Sequence, residues 1–426
     1  MSDSSITAAG DGESIPMHEK GYLLHLLFFV CFATLFEGYD LLIINLALPY
    51  LGTDFGADSQ TLGTAVGLIN IGTIVAFIPV RLADRYGRRA VFLAAIAGYT
   101  LFTILSAFSI GLYDFVAYQF IARMFMVTEI GLGAIILTEE MPARWRGAAV
   151  TLMFAASLGG GVLGSAVFPY LVDTELSWCM LYLIGGSLIF VLALYWRRLR
   201  ETSRFVHDSS LRDPRAGSLV ASFKALKTVF QPAYRKRVLA GTTIWFAVNA
   251  WSSSCLFFFS YYVTNERGWD PVAVSYALTL AYSLAVIGYV TAGPMLDFAG
   301  RRLTATLYFT IGAIAAYVCF TAQAAPVITA AYVVVLGMHA LWPIAATITS
   351  EIFPTAIRGT ANAVVNNLLG RTGMALAPAI VGGLSAALGS VGQAVAVMTL
   401  VPFVCLPIIW LVVSETKGKE LEEISP

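Results

Sequence analysis

The stretch DRYGRR, residues 84–89, recurs as DFAGRR at residues 297–302, 213 positions further along a chain of 426 residues. A second segment, EEMPARWRG at 139–147, recurs as EIFPTAIRG at 351–359, and the pair Glu-Thr at Glu201 recurs at Glu415. Matched signals in the same order and at nearly one offset indicate a duplicated chain. The sequence therefore predicts two similar halves.

The composition places both halves in a membrane. Hydrophobic residues make up 58% of the chain and charged residues only 12%, far from the balance of a soluble domain. Because a helix needs about 20 apolar residues to cross a bilayer, we divide the chain into twelve spans. These are 22–50, 60–80, 90–110, 112–138, 148–171, 178–196, 238–264, 272–295, 303–323, 327–350, 360–387 and 391–413.

The spans define the domain organisation. An N-terminal tail (1–21) precedes a first half (22–196), and a linker (197–237) leads to a second half (238–413) and a C-terminal tail (414–426). The linker carries eleven basic residues. Its segment SLVASFKALKTVF places Leu219, Phe223, Leu226 and Phe230 on one helical face, as in a helix lying on a membrane surface. The alternative is a solvated linker with a chance apolar stripe.

Basic residues predict the orientation. Of the 26 Lys and Arg, 23 lie in the tails or in the loops after spans 2, 4, 6, 8 and 10. Short loops rich in Lys and Arg stay in the cytoplasm, so both termini are expected there, with the protein in the bacterial inner (plasma) membrane. The N-terminal tail lacks the pattern of a cleaved secretory signal. The formal net charge is zero, so nucleic acid is not an expected partner.

The loop motifs resemble those of the major facilitator superfamily over essentially the whole chain. RLADRYGRR is similar to the signature of the loop between spans 2 and 3, although Val80 replaces the usual leading Gly, and GPMLDFAGRR keeps Gly293. The ending ETKGKELEEI resembles that of sugar-porter-like members. The resemblance implies an all-α membrane protein with twelve transmembrane helices in two pseudo-symmetric six-helix bundles. It also implies a central cavity that opens alternately to each side.

The repeated loops supply the candidates for a cytoplasmic gate. Their arginines could anchor helix ends at anionic headgroups, or they could join acidic residues in a latch that Asp84 holds closed. The predicted gate residues are Asp84, Arg88, Asp297, Arg301, Glu139, Arg146, Glu351 and Arg358.

The first span contains two carboxylates, Glu37 and Asp40, in an apolar run. A carboxylate in mid-membrane costs several kcal/mol unless it is paired, protonated or in contact with water. The two lie three residues apart and project from one helical face. Their segment EGYD resembles the DGYD element of the aromatic acid:proton symporters, with Glu in place of the first Asp.

Three more charges lie inside spans, namely Arg123, Glu129 and Arg371. Arg at the position of Arg371 is common in members that carry organic anions, and a guanidinium can bind a carboxylate through two parallel hydrogen bonds. Arg123 and Arg371 are both predicted to bind the substrate. The alternative for Arg123 is a structural role, in which it neutralises a nearby acid. Arg371 could instead pair with a helix-end carbonyl or a Glu.

The three acids and the two arginines inside the spans give a net charge of one negative unit. The least costly resting state protonates one of Glu37, Asp40 and Glu129, which suggests that protons are co-transported. The other predicted substrate-binding residues are Asn249, Trp251, Tyr39, Asn367 and Trp342, although aromatic residues in membranes more often only pack. His339 is more simply explained as a hydrogen-bonded structural residue.

The function predicted is proton-coupled symport of a small organic anion, such as an aromatic or other monocarboxylate. The alternative is a transporter of a neutral or cationic solute, such as a sugar or an amine. Motifs of hydrolases, zinc proteases and nucleotide-binding loops are missing, so an enzyme is not expected. We expect no cofactor and no metal, read the five cysteines as apolar side chains, and expect a monomer.

Overall fold

The computed structural model describes residues 17–142, 145–188, 190–191, 199–201, 227–354 and 357–417. The side chains of residues 17–19, 84 and 85 are not among those described. The latch predicted at the Asp84 side chain therefore lies outside the described residues. So does the predicted amphipathic stripe of the linker, except for Phe230.

The first half is built from six helical rods. Three of them are continuous over 27 residues or more, and each contains an apolar stretch long enough to cross a bilayer. The second rod breaks at Ala76, and the sixth is described continuously only in its first part. The rods are α1 (Met17–Asp54), α2 (Ser59–Val75 and Phe77–Tyr86), α3 (Arg88–Ser106), α4 (Leu112–Glu140), α5 (Arg146–Val172) and α6 (Trp178–Gly186).

The second half repeats the pattern. Its fourth rod, the tenth of the chain, breaks after Met338, because Pro343 has no N–H to donate to the carbonyl of His339. The rods are α7 (Arg235–Asn265), α8 (Pro271–Ala299), α9 (Arg301–Thr321), α10 (Ala325–Met338 and Leu341–Ile352), α11 (Arg358–Asn362, the π-helical Ala363–Gly370, and Thr372–Leu388) and α12 (Val391–Met398 and Val401–Val412).

Ten of these rods are long and apolar enough to cross a membrane within the described part of the chain. The helix α7 is long enough but more polar, with Asn249 and Ser252 to Ser254 all buried. These four residues face protein and not lipid, which explains why α7 can be more polar than the other rods. Large apolar side chains such as Phe190, Val290 and Leu411 point outward. This suits an environment of hydrocarbon, and the chain forms an integral, multi-pass membrane protein.

The two halves meet through α1 with α7, α2 with α11, and α5 with α8. The hydroxyl of Ser385 donates to that of Ser59 over 2.8 Å, and the backbone N–H of Ser260 donates to Asn45 over 3.0 Å. These contacts lie where α1 and α7 end and α2 begins, at the end of the molecule opposite the start of α1. The halves are therefore joined at that end.

Candidate functional site

The two carboxylates of α1 bond to different neighbouring helices. Oε2 of Glu37 accepts a hydrogen bond from the hydroxyl of Ser157 on α5 over 2.8 Å. Oδ2 of Asp40 accepts one from Thr103 on α3 over 3.0 Å. Both carboxylates are buried, with 3% of Glu37 and 8% of Asp40 exposed. Although one helical face carries both acids, the structure divides them between α5 and α3.

Close packing of α1 against α5 fixes the position of Glu37. A Cβ added at Gly38 would lie 1.9 Å from the carbonyl oxygen of Ser157, and one added at Gly160 would lie 1.9 Å from that of Leu35. Only glycine permits such an approach, because any side chain would overlap the facing backbone.

The helix α4 supplies Arg123 and Glu129, both buried. The guanidinium of Arg123 lies over the ring of Phe257 on α7, with its carbon 5.8 Å from the ring centre, so it reaches the second half. Neither terminal nitrogen of Arg123 and neither oxygen of Glu129 has a hydrogen-bond partner among the described residues. Arg123 can therefore offer two N–H donors to an anion.

Arg371 enters the site from the second half, next to the π-helical turn of α11. Its backbone N–H donates to the carbonyl of Asn366 five residues earlier, and its Nε donates to Oδ1 of Asn367 over 3.3 Å. Short π-helical segments are frequent at functional sites. Arg371 and Asn367 are both only partly buried.

The charged residues lie in one region. Glu37 is within electrostatic range of both Arg123 and Arg371. Asp40 is within range of Arg123 and Glu37, and Glu129 is within range of Glu37. The structure thus links the five charged side chains predicted from the sequence through Glu37, with Arg371 contributed by the second half and the other four by the first.

The predicted aromatic and amide residues lie in different surroundings. The hydroxyl of Tyr39 donates to the carbonyl of Leu181 on α6, inside the first half. Trp342 lies edge-on to Trp245 and near Ser252. Trp251 packs on the ring of His339, with 4.9 Å between the ring centres.

Asn249 donates to the carbonyl of Trp245 in its own helix, and its Oδ1 is buried without a partner among the described residues. Among these residues, Asn249 therefore keeps an acceptor available inside the second half.

Several residues of this region were not predicted from the sequence. Ser157, Thr103, Tyr99, Tyr282 and Tyr289 all lie near the acids; the two tyrosines of α8 are within electrostatic range of Glu37. Tyr282 packs over Gly161, next to the contact between α1 and α5. The spacing of seven residues between these tyrosines was the one available signal, since it puts both on one face of α8.

The predicted gate residues form matching ion pairs in the two halves. Nε of Arg88 lies 3.5 Å from Glu139, and the guanidinium of Arg301 contacts Glu351 at 2.7 Å. Arg301 also lies 3.8 Å from Asp297, whose side chain is 84% exposed. Each of these pairs joins helices of the same half.

The second pair of gate arginines caps helix ends. Arg146 donates to the carbonyl of Met141 over 3.0 Å, and Arg358 donates to that of Phe353 over 3.3 Å. Cationic side chains favour the carbonyl end of a helix. The same bond is thus made twice, 212 positions apart in the sequence.

Two further acids hold the amino ends of α3 and α9. Glu201 accepts a bond from the backbone N–H of Arg89 over 3.0 Å. Glu415 accepts bonds from those of Arg301 and Arg302 over 3.0 and 3.1 Å. The first N–H groups of a helix have no partner within the helix, and a carboxylate satisfies them. The Glu-Thr repeat read from the sequence marks these two caps.

Comparison with known proteins agrees with this architecture. The family model described as "Major Facilitator Superfamily" matches residues 30–265 and 242–425. The chain is 28% identical to the niacin transporter NiaP of Acinetobacter baylyi, covering 97% of this chain and 98% of that protein. It is 25% identical to the gentisate transporter of Corynebacterium glutamicum, covering 89% of this chain and 85% of that protein.

Among solved structures, the inward-open xylose transporter XylE of E. coli superposes with a TM-score of 0.73 at 19% identity. The superposition covers 94% of this chain and 99% of the XylE chain. At this identity the likeness concerns the fold, which is that of two six-helix bundles.

Proposed function

The chain belongs to the major facilitator superfamily and is a membrane transporter, and we propose that it carries a small aromatic monocarboxylate together with a proton. The relatives named for niacin and gentisate support an organic acid as cargo. The observation that carries the proposal is the position of Glu37 within range of two arginines, one from each half.

Arg123 is proposed as the anion site of the first half. A buried guanidinium whose terminal nitrogens lack acceptors is costly. A carboxylate would accept two parallel hydrogen bonds from it. The ring of Phe257 beside Arg123 would then lie next to the ring of an aromatic acid and could stack on it.

Arg371 is proposed as the contact from the second half. Its Nε is held by Asn367, which fixes the plane of the guanidinium. An anion held by Arg371 and Arg123 together would draw the two halves toward each other. Closure of the halves around bound substrate is the step that alternating access requires.

Glu37 is proposed to link the anion to the proton. Without substrate, both arginines stabilise the Glu37 carboxylate. A substrate carboxylate on these arginines adds a second negative charge, and like charges at one buried site favour protonation of one of them. The proton and the anion therefore bind together and leave together, which gives symport.

Uptake into proteoliposomes tests the proposal. We expect wild-type protein to accumulate radiolabelled nicotinate or gentisate when the outside is acidified, and not xylose or choline. Glu37→Gln is expected to abolish accumulation but to keep counterflow exchange, which needs no net proton movement. The matched control is Glu175→Gln, an exposed residue of the loop after α5, and it should behave as wild type.

Two results would contradict the proposal. Accumulation of xylose alone would assign a neutral cargo. If Glu37→Gln, Asp40→Asn and Glu129→Gln each still accumulate substrate against a gradient, proton coupling depends on other residues.

A further inference from the structure

A cluster of buried polar atoms in the first half is not accounted for by the substrate site. The hydroxyl of Tyr99, both oxygens of Glu129 and Oδ1 of Asp40 have no hydrogen-bond partner among the described residues. Tyr99 and Glu129 are completely buried. Buried polar groups in proteins are nearly always hydrogen-bonded, either to protein or to ordered water. These four atoms therefore have hydrogen-bonding capacity that ordered water could satisfy.

Tyr99 lies near both acids. It is on α3, one turn before Thr103, and residues four apart share a helical face. Thr103 donates to Oδ2 of Asp40, so this face of α3 points toward α1. The Tyr99 hydroxyl is within electrostatic range of Asp40, Glu129 and Glu37. It is thus near the acids of both α1 and α4.

The surroundings of the two acids differ in a way that favours opposite protonation. Asp40 accepts a hydrogen bond from Thr103 and lies within range of Arg123, and both contacts offset part of the cost of burying its charge. Among the described residues, Glu129 has neither a donor nor an ion-pair partner, and a charged carboxylate there would cost several kcal/mol. Of the two acids, Glu129 therefore has the less stabilised carboxylate and the stronger tendency to hold a proton.

Building on the proton coupling proposed above, we propose that Tyr99, with bridging water, relays a proton between Glu129 and Asp40. A hydroxyl can accept one hydrogen bond while it donates another. Glu129 gives its proton to the water that bridges it to Tyr99, that water passes a proton to the Tyr99 oxygen, and the proton of Tyr99 moves through a second water to Oδ1 of Asp40. Tyr99 is unchanged, Glu129 becomes a carboxylate and Asp40 becomes neutral. In this scheme Glu129 holds a proton inside the first half until Tyr99 relays it.

A second tyrosine nearby does not meet the same requirement. The hydroxyl of Tyr182 is also buried without a partner among the described residues. It lies within range of Asp40 and Arg123, and Glu129 is not among the groups that influence it. Of these two tyrosines, Tyr99 is the one near both Asp40 and Glu129.

Removal of one oxygen atom tests the relay. Tyr99→Phe keeps the ring and deletes the hydroxyl. We expect uptake driven by a pH gradient to fall about a hundredfold, the lower end of the usual contribution of a proton-transfer group, while counterflow of nicotinate stays within about twofold. The matched control is Tyr332→Phe, since Tyr332 is fully buried in the second half with a hydroxyl that also has no described partner. It should leave both rates unchanged.

Two outcomes of this transport assay would overturn the relay. Gradient-driven uptake at the wild-type rate in Tyr99→Phe would mean that the hydroxyl moves no proton. An equal loss of gradient-driven uptake and counterflow would indicate a general defect, because a relay affects only net proton movement.

Infrared spectroscopy tests the stored proton without any substrate, so it remains decisive if the assigned cargo is wrong. Wild-type protein should show a protonated-carboxyl C=O band that disappears in Glu129→Gln. In Tyr99→Phe the band should shift, because the hydrogen bonding of Glu129 changes. A spectrum of Glu129→Gln identical to that of wild type would show that Glu129 is not protonated, and would overturn the relay.

Discussion

The hydroxyl of Ser157 donates to Oε2 of Glu37 over 2.8 Å, at a point where α1 and α5 approach so closely that only glycine fits. The contact depends on one glycine from each helix, Gly38 and Gly160. Two glycines, which have no functional side chain, therefore set the position of the Glu37 carboxylate.

Gly160→Ala tests this packing. The added methyl group would overlap the Leu35 carbonyl, and overpacking of a tight interface costs about 1–3 kcal/mol. We expect a lower unfolding temperature in detergent. Gly159→Ala is the control, because a Cβ there has no atom within 4 Å. Equal unfolding temperatures for the two variants would contradict the packing argument.

Phe257→Leu tests the aromatic contact beside Arg123. Loss of a cation–π contact and of the stacking surface, about 1–2 kcal/mol, should raise the apparent KM for nicotinate roughly tenfold. Phe403→Leu on α12, which is 40% exposed on the outer surface, should leave KM unchanged. The same KM for Phe257→Leu and wild type would place the substrate ring elsewhere.

A pair of cysteines tests whether the halves part at their joined end. The hydroxyls of Ser59 and Ser385 lie 2.8 Å apart, close enough for a disulfide after substitution by Cys. In a background without the native cysteines, oxidation of Ser59→Cys/Ser385→Cys should stop transport, and reduction should restore it. Each single substitution is the control. Full transport by the cross-linked protein would rule out separation at this point.

Glu415 predicts a pH-dependent stability. Burial raises its pKa, but backbone N–H donors, among them those of Arg301 and Arg302, lower it by more, and the net pKa lies below its ordinary 4.5. Because the folded-state pKa is depressed, the stabilisation is present at neutral pH and is lost as the pH falls through that value.

The corresponding variant is Glu415→Gln. At pH 7 it should be less stable than wild type by at most about 1 kcal/mol, since the group is partly exposed and screened. In acid below 4.5, the two unfolding temperatures should converge. Glu175→Gln should match wild type throughout. A difference between Glu415→Gln and wild type that persists in acid would assign the effect to something other than this charge.

The twelve-helix fold and its spans were predictable, and most helix ends lie within a few residues of the predicted ones, because apolar runs in lipid must be helical. The repeat of Glu201 at Glu415 was visible, and it marks two helix caps. The assignment of roles to the gate residues stays a prediction.

Local composition and spacing were enough to predict the two halves, the spans and the five charges within them. The partners of those charges depend on the packing of the helices in three dimensions. Ser157 meets Glu37, Thr103 meets Asp40 and Phe257 meets Arg123, each from a distant helix. Periodicity defines the faces of one helix, but which faces touch depends on how all the helices pack, and no single segment carries that information.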